Sequence, residues 1–338
     1  FMDSIISIGA GNSHTVFVKS DGRVLSVGAN DQGQLGDGTT NEDKKPVFVL
    51  NSDGTDFTGV VAVEIGGNFN LFLKNDGTVW GSGRNLERQL GDGSQINRKN
   101  PVQMKYANGS ALTGFVSLSA GVQSHSVMIR SDGTVWATGN NSSGKLGDGT
   151  FISRLNPVQV FQGNTSKSYV PKIKSVSVGD WHTLLLTSRG TVFGSGANGG
   201  QLADGTTENR SIFKAIENPD GSILTGVRDA QAKWDQSVFL MDDGTALTAG
   251  GNWKGALGDG TMTAKTSLVQ VQNSDGTAFR DIKSVALNCH SAHYLKSDGT
   301  VWSTGWNTDG RLGDGTTTDR TNPVQVVNAD GSPFNNVV

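Results

Sequence analysis

The sequence predicts an all-β fold: a β-propeller of six four-stranded blades closed by both termini, with seven blades and one missing as the alternative. Three observations lead there. The tetrapeptide Leu-Gly-Asp-Gly recurs at Leu35, Leu90, Leu146, Leu257 and Leu312, and Leu202-Ala203-Asp204-Gly205 fills the gap. These copies lie 55 or 56 residues apart, so one supersecondary unit is used six times and needs its neighbours to bury its apolar face. Glycine is abundant, with 47 residues against 7 prolines, which suits many short strands joined by tight turns. Finally, Phe334–Val338 reproduces the segment Phe57–Val61, and Phe1–Ile8 covers it again. One domain over residues 1–338 is expected.

The third repeat justifies the strands in order. Phe115 to Ser119 alternates apolar and polar residues, the period of a half-buried strand. A bend at Gly121 leads to His125 and a second strand, Ser126 to Arg130. Ser131-Asp132-Gly133 is a hairpin turn, because Asp and Gly tolerate the positive φ such turns need. Thr134 to Ala137 returns as the third strand, and a long loop, Asn140 to Asn156, carries Leu146-Gly147-Asp148-Gly149. Pro157 to Val160 is then a short fourth strand whose leading proline suits a strand start or an edge. Four antiparallel strands repeated radially describe a propeller blade.

Composition removes several functions. The net charge is −3, and no basic run exceeds two residues, so no nucleic-acid partner is expected. No stretch approaches the roughly 18 apolar residues of a membrane span. The single cysteine, Cys289, excludes internal disulfides and leaves the compartment undecided. Phe1 begins almost inside a strand pattern, which reads as a trimmed or processed form.

The order Gly-x-x-His, Asp-Gly-Thr-Val-Trp, Gly-x-Asn-x-x-Gly-Gln-Leu-Gly-Asp-Gly and Asn-Pro-Val-Gln-Val resembles the regulator of chromosome condensation repeat. Gly11 to His14, Asp298 to Trp302, Gly28 to Gly38 and Asn322 to Val326 carry it. The wording is similar to bacterial members more than to the eukaryotic nuclear one. The resemblance implies a propeller with a binding role, ranging across the family from nucleotide exchange on a GTPase through scaffolding to secreted inhibition of β-lactamases.

Residues that build a blade recur between repeats, whereas residues that recognise an asymmetric partner differ. Trp80, Trp136 and Trp302 share one position and read as packing. Asp37, Asp92, Asp148, Asp204, Asp259 and Asp314 read as turn caps, since each motif lacks the clustered ligands of a calcium loop. His14, His125 and His182 share a position that Phe69 fills elsewhere, which suits a buried imidazole better than a metal ligand. No metal, cofactor or catalytic group is expected, so the chain reads as a non-enzyme.

The irregular positions fall in the Gly-x-x-His bends and the long loops, which a four-strand meander places on one face. They are Asp180, Trp181, Lys233, Trp234 and Asp235 in the bends, and Arg84, Glu87, Arg88, Trp253, Lys254, Trp306, Asp309 and Arg311 in the loops. Trp and Arg are common binding hot spots. These residues point to one protein partner, gripped by an aromatic and charged face, with an extracellular enzyme to be inhibited as the sharpest version. A carbohydrate-binding propeller and a GTPase exchange factor are the alternatives. A monomer, extracellular or at the cell surface, is expected. The long connection from Phe161 to Lys172 is read as projecting from the opposite face, and the sequons at Asn108, Asn141 and Asn164 as chance occurrences.

Overall fold

The computed structural model describes residues 4–122, 124–160 and 172–337. Among them, each repeat forms one four-stranded antiparallel sheet with its strands in chain order, six sheets in all. The connection from Phe161 and the sequon at Asn164 lie outside the described residues.

In the third repeat the strands are Phe115–Ala120, His125–Arg130, Val135–Gly139 and Arg154–Gln159. Met128 sits opposite both Leu118 and Trp136, which fixes the register. The hairpin works as its residues dictate. The Asp132 carboxylate accepts the Thr134 amide at 2.9 Å and its hydroxyl at 2.6 Å, while Gly133 takes a φ of +85°.

The fourth strand departs from the sequence reading. It starts at Arg154 instead of Pro157, so the proline stands inside the strand. An outermost strand presents one edge to no neighbour, and the register shift between Ala137 and Gly139 relaxes the ladder beside it. A proline without an N–H is tolerated there.

Residues 1–180 and 181–338 form two compact units. Inside each, successive sheets pack by one rule. In the first unit Val16, Val18 and Val24 of the first sheet cover Val60, Val63 and Phe72 of the second. Leu71, Leu73 and Val79 then cover Phe115, Leu118 and Met128 of the third. In the second unit Val238, Leu240 and Ala246 cover Ile282, Val285 and Tyr294. Each buried Val, Leu, Ile, Phe or Met side chain among them contributes roughly 1.5–3 kcal/mol by leaving water. The first sheet has no predecessor in its unit, and Ile8 is 64% exposed where Val63 and Leu118 are 5% and 7%.

The packing tryptophans complete these cores. Trp80 meets Phe57 edge-on at 5.5 Å, Trp136 meets Tyr106 at 5.4 Å and Trp302 meets Phe279 at 5.4 Å. Their indole N–H groups donate to Thr78, Thr134 and Thr300.

Candidate functional site

Each long loop is held by a clasp built from the Gly-x-Asn and Leu-Gly-Asp-Gly parts of the repeat. In the second repeat the buried Asn85 accepts the Leu90 amide at 2.9 Å and donates to Asp92 at 2.9 Å. Asp92 also accepts from Ser94 and forms an ion pair with Arg98 at 2.5 Å. The same set recurs around Asp148, Asp204, Asp259 and Asp314, with Arg154, Arg210, Lys265 and Arg320 as the cations. These aspartates cap turns. The sequon asparagine Asn141 belongs to such a clasp and is fully buried.

The Gly-x-x-His bends have an equally local cause. A Cβ on Gly11 would lie 2.4 Å from the His14 ring, and one on Gly66 would lie 1.9 Å from Phe69. The ring folds over the glycine. His14 Nε2 lies 2.7 Å from Asn70 Oδ1, and His182 Nε2 lies 2.9 Å from Ser237 Oγ. Burial lowers the pKa of both, that of His182 to about 3. Among the described residues, no group of three or more His, Cys, Asp or Glu side chains converges as a metal site would require.

In repeats five and six, Lys233 and Asn288 replace that glycine, and Gln236 and Ser291 replace the ring. The bends shrink to two residues, Trp234-Asp235 and Cys289-His290, closed by the pairs Lys233–Gln236 and Asn288–Ser291. Trp234 and His290 take φ of +50° and +61°, conformations that cost on the order of 1 kcal/mol each.

These bends and their long loops bring three predicted tryptophans around His290 in the second unit. The His290 ring lies 4.9 Å from Trp253, 5.8 Å from Trp234 and 6.3 Å from Trp306. Trp253 and Trp306 are 5.8 Å apart. The Arg311 guanidinium covers Trp306 at 3.8 Å and is ion-paired with Asp309. Lys254 Nζ stands 5.6 Å from the centre of the Trp253 ring and 3.0 Å from Asp319. Trp253 remains 55% exposed. The rings hold one another in edge-on and tilted contacts, so a partner can cover them with little loss of side-chain freedom.

Other predicted site residues have different surroundings. Trp181 is 48% exposed, and its carbonyl accepts from Ala197. Asp235 is turned inward: a Cβ on Gly251 would lie 2.1 Å from its carboxylate. In the first unit Arg84 and Glu87 pair at 3.8 Å, and Glu87 also accepts from Asn140 at 3.0 Å. Asp180 is 6% exposed, which removes it from the predicted binding surface. Its carbonyl accepts from Lys145 at 3.2 Å. Arg88 lines a cavity of about 400 Å³ with Ile152, Arg154 and Leu155.

Sequence reasoning missed two residues. His290, the hub of the cluster, stands one place before the shared histidine position, so alignment of the repeats passed over it. Lys145 is 1% exposed and donates to Ser124 Oγ at 2.8 Å. Burial lowers its pKa to about 8. The signal for it was visible: repeats one, two and four carry Gln34, Gln89 and Gln201 at that position.

With this geometry in view, the chain matches a family model described as the RCC1-like domain across residues 2–338. It is 27% identical over 329 residues to the ultraviolet-B receptor UVR8 of Arabidopsis thaliana, covering 95% of this chain and 70% of that protein. It is 27% identical to the human probable E3 ubiquitin-protein ligase HERC4, of which it spans only 29%. Among solved structures, human WBSCR16 superposes with a TM-score of 0.76 at 19% identity, over 97% of this chain and 83% of that one. Prp20p of Saccharomyces cerevisiae, reported with its binding to Gsp1p and histones, gives 0.73 at 22% identity over 96% and 77%. These relatives are eukaryotic and lend no support to the bacterial, secreted reading. The repeat, the six sheets and the match along nearly every residue agree: the chain belongs to the RCC1-like domain family.

Proposed function

We propose that this chain is a non-enzymatic protein-binding module that grips its partner through Trp234, Trp253, Trp306 and His290, flanked by Lys254 and Arg311. The observation that carries this reading is the cluster itself. Three tryptophans from irregular positions meet on one histidine and leave the Trp253 indole more than half exposed. An exposed aromatic group held by its neighbours, rimmed with charge, is the composition of a protein hot spot. The binding of Prp20p to Gsp1p and histones supports protein partners for this fold. The tryptophans sit in one uneven group, which favours a single asymmetric partner over sugars bound at repeated pockets.

Affinity capture with the intact chain, Trp253→Ala/Arg311→Ala and Leu86→Ala tests this. A protein held by the intact chain and by Leu86→Ala, and lost with the double variant, is the expected result. Equal capture by all three sinks the reading, and binding of a glycan array by the intact chain alone turns it towards carbohydrate.

A further inference from the structure

A second surface lies in the first unit, built from residues of the second and third repeats. Arg88 occupies a position that is glycine in all other repeats: Gly33, Gly144, Gly200, Gly255 and Gly310. All of these take positive φ, and Arg88 keeps that conformation at +70°. Space is short there as well. A Cβ on Gly33 would lie 2.8 Å from the Arg98 carbonyl, and one on Gly255 would lie 2.7 Å from the Thr321 backbone. Arginine is therefore the costly choice for both backbone and packing, and such outliers gather at working sites.

Its surroundings are equally irregular. Arg88 lines the 400 Å³ cavity together with Ile152 and Leu155, which are 63% and 40% exposed. At the Ile152 position repeat two also carries an isoleucine, Ile96, while the other four carry Asn41, Glu208, Thr263 and Thr318; at the Leu155 position all the others are polar, Lys44, Lys99, Ser211, Thr266 and Thr321. Phe151, next in the chain, is 53% exposed where three other repeats have threonine. Among the described residues, no carboxylate lines the cavity. Arg154, its other cation, is already paired with Asp148 at 2.6 Å. Among the described residues Arg88 forms no ion pair, and its Nε is sealed from solvent without a hydrogen-bond partner. The cavity thus offers apolar walls and one uncommitted guanidinium.

We propose that this groove receives an extended protein segment in which an acidic side chain adjoins a bulky apolar one. The carboxylate pairs with Arg88, and the apolar side chain lies between Ile152 and Leu155. Pairing with the edge strand is not the mode, because Pro157 lacks an N–H and the Leu155 carbonyl already accepts from Gly93. Side chains carry the recognition.

The test is a randomised heptapeptide display library panned on the intact chain after depletion on Arg88→Gly. Arg88→Gly restores the residue of the other repeats, so its melting temperature should be unchanged or higher. Enriched sequences should place Asp or Glu beside Leu, Ile or Phe. Fluorescein-labelled copies should bind the intact chain at least ten-fold tighter than Arg88→Gly or Leu155→Thr, and equally well to Trp253→Ala. No enrichment, enriched peptides without an acid, or equal binding to Arg88→Gly overturns the proposal. A lower melting temperature for Arg88→Gly overturns it too, since Arg88 would then be a packing residue.

Discussion

The guanidinium of Arg311 lies over the Trp306 ring, its carbon 3.8 Å from the ring centre. The Trp306 N–H donates to Thr308 at 2.6 Å, so the ring is held from its edge as well as its face. Removing the cap should loosen the indole without unfolding the sheet. Arg311→Ala should cost about 0.5–1 kcal/mol, the range of an exposed cation–π contact. Urea titration checks the energy, and acrylamide quenching of tryptophan fluorescence should rise in the folded variant.

The first repeat lacks a part of the clasp that the others have. Asp43 pairs with Gly28 where Arg98, Arg154, Arg210, Lys265 and Arg320 pair with the matching glycines. Asp37 therefore has a carboxylate in the place of its cation. Asp43→Arg should stabilise the protein by roughly 1 kcal/mol, as a half-buried, geometrically defined pair does. Arg154→Asp should recreate the defect in the third repeat and lower the melting temperature. Calorimetry on the two variants settles both signs.

Lys145 gives a dependence on alkaline pH. Its folded pKa is near 8 against 10.5 for the free side chain, so between these values the unfolded chain binds more protons and stability rises with pH. The full difference corresponds to roughly 3 kcal/mol, present above pH 10.5 and lost as pH falls through 8. Lys145→Gln adopts the residue of three other repeats, where Gln89 accepts the Glu87 amide at 3.0 Å. The variant should be more stable than the native chain at pH 7 and flat from pH 8 to 10.5. A native curve already flat in that window would contradict this account of burial.

His182 sets the acid side. With a folded pKa near 3, below the ordinary 6.5, it must enter the core neutral. Stability attributable to it is complete above pH 6.5 and is lost as pH falls from 6.5 towards 3. His182→Gln, the residue of repeat five, should shallow the loss of stability between pH 6 and 4. Chemical denaturation at those pH values measures it.

The blades were legible because their rules act within a few residues. An Asp-Gly hairpin, a glycine beneath a ring, and an Asn and Asp seven residues apart are local facts that repeat. The start of the fourth strand was misplaced because Pro157 looks like a beginning when the edge position of the strand is unknown. Comparison of the repeats picked out Trp234, Trp253 and Trp306, but it could not see His290 between them. It also placed Asp180 on the surface. Its burial and its contact with Lys145, 35 residues away, depend on how neighbouring sheets stack, which no local pattern records.

The clasp also has a consequence for how this fold acquires new specificities. Asn252 and Leu257 are joined by a 3.0 Å hydrogen bond, and Asn85 and Leu90 by one of 2.9 Å. Between those fixed ends one loop carries Trp-Lys-Gly-Ala and the other Leu-Glu-Arg-Gln. The loop tips are thus interchangeable cassettes on a constant mount. A selection scheme, natural or in the laboratory, can vary the tip positions around the left-handed residue while the asparagine bonds that anchor the loop to its leucine and aspartate stay in place.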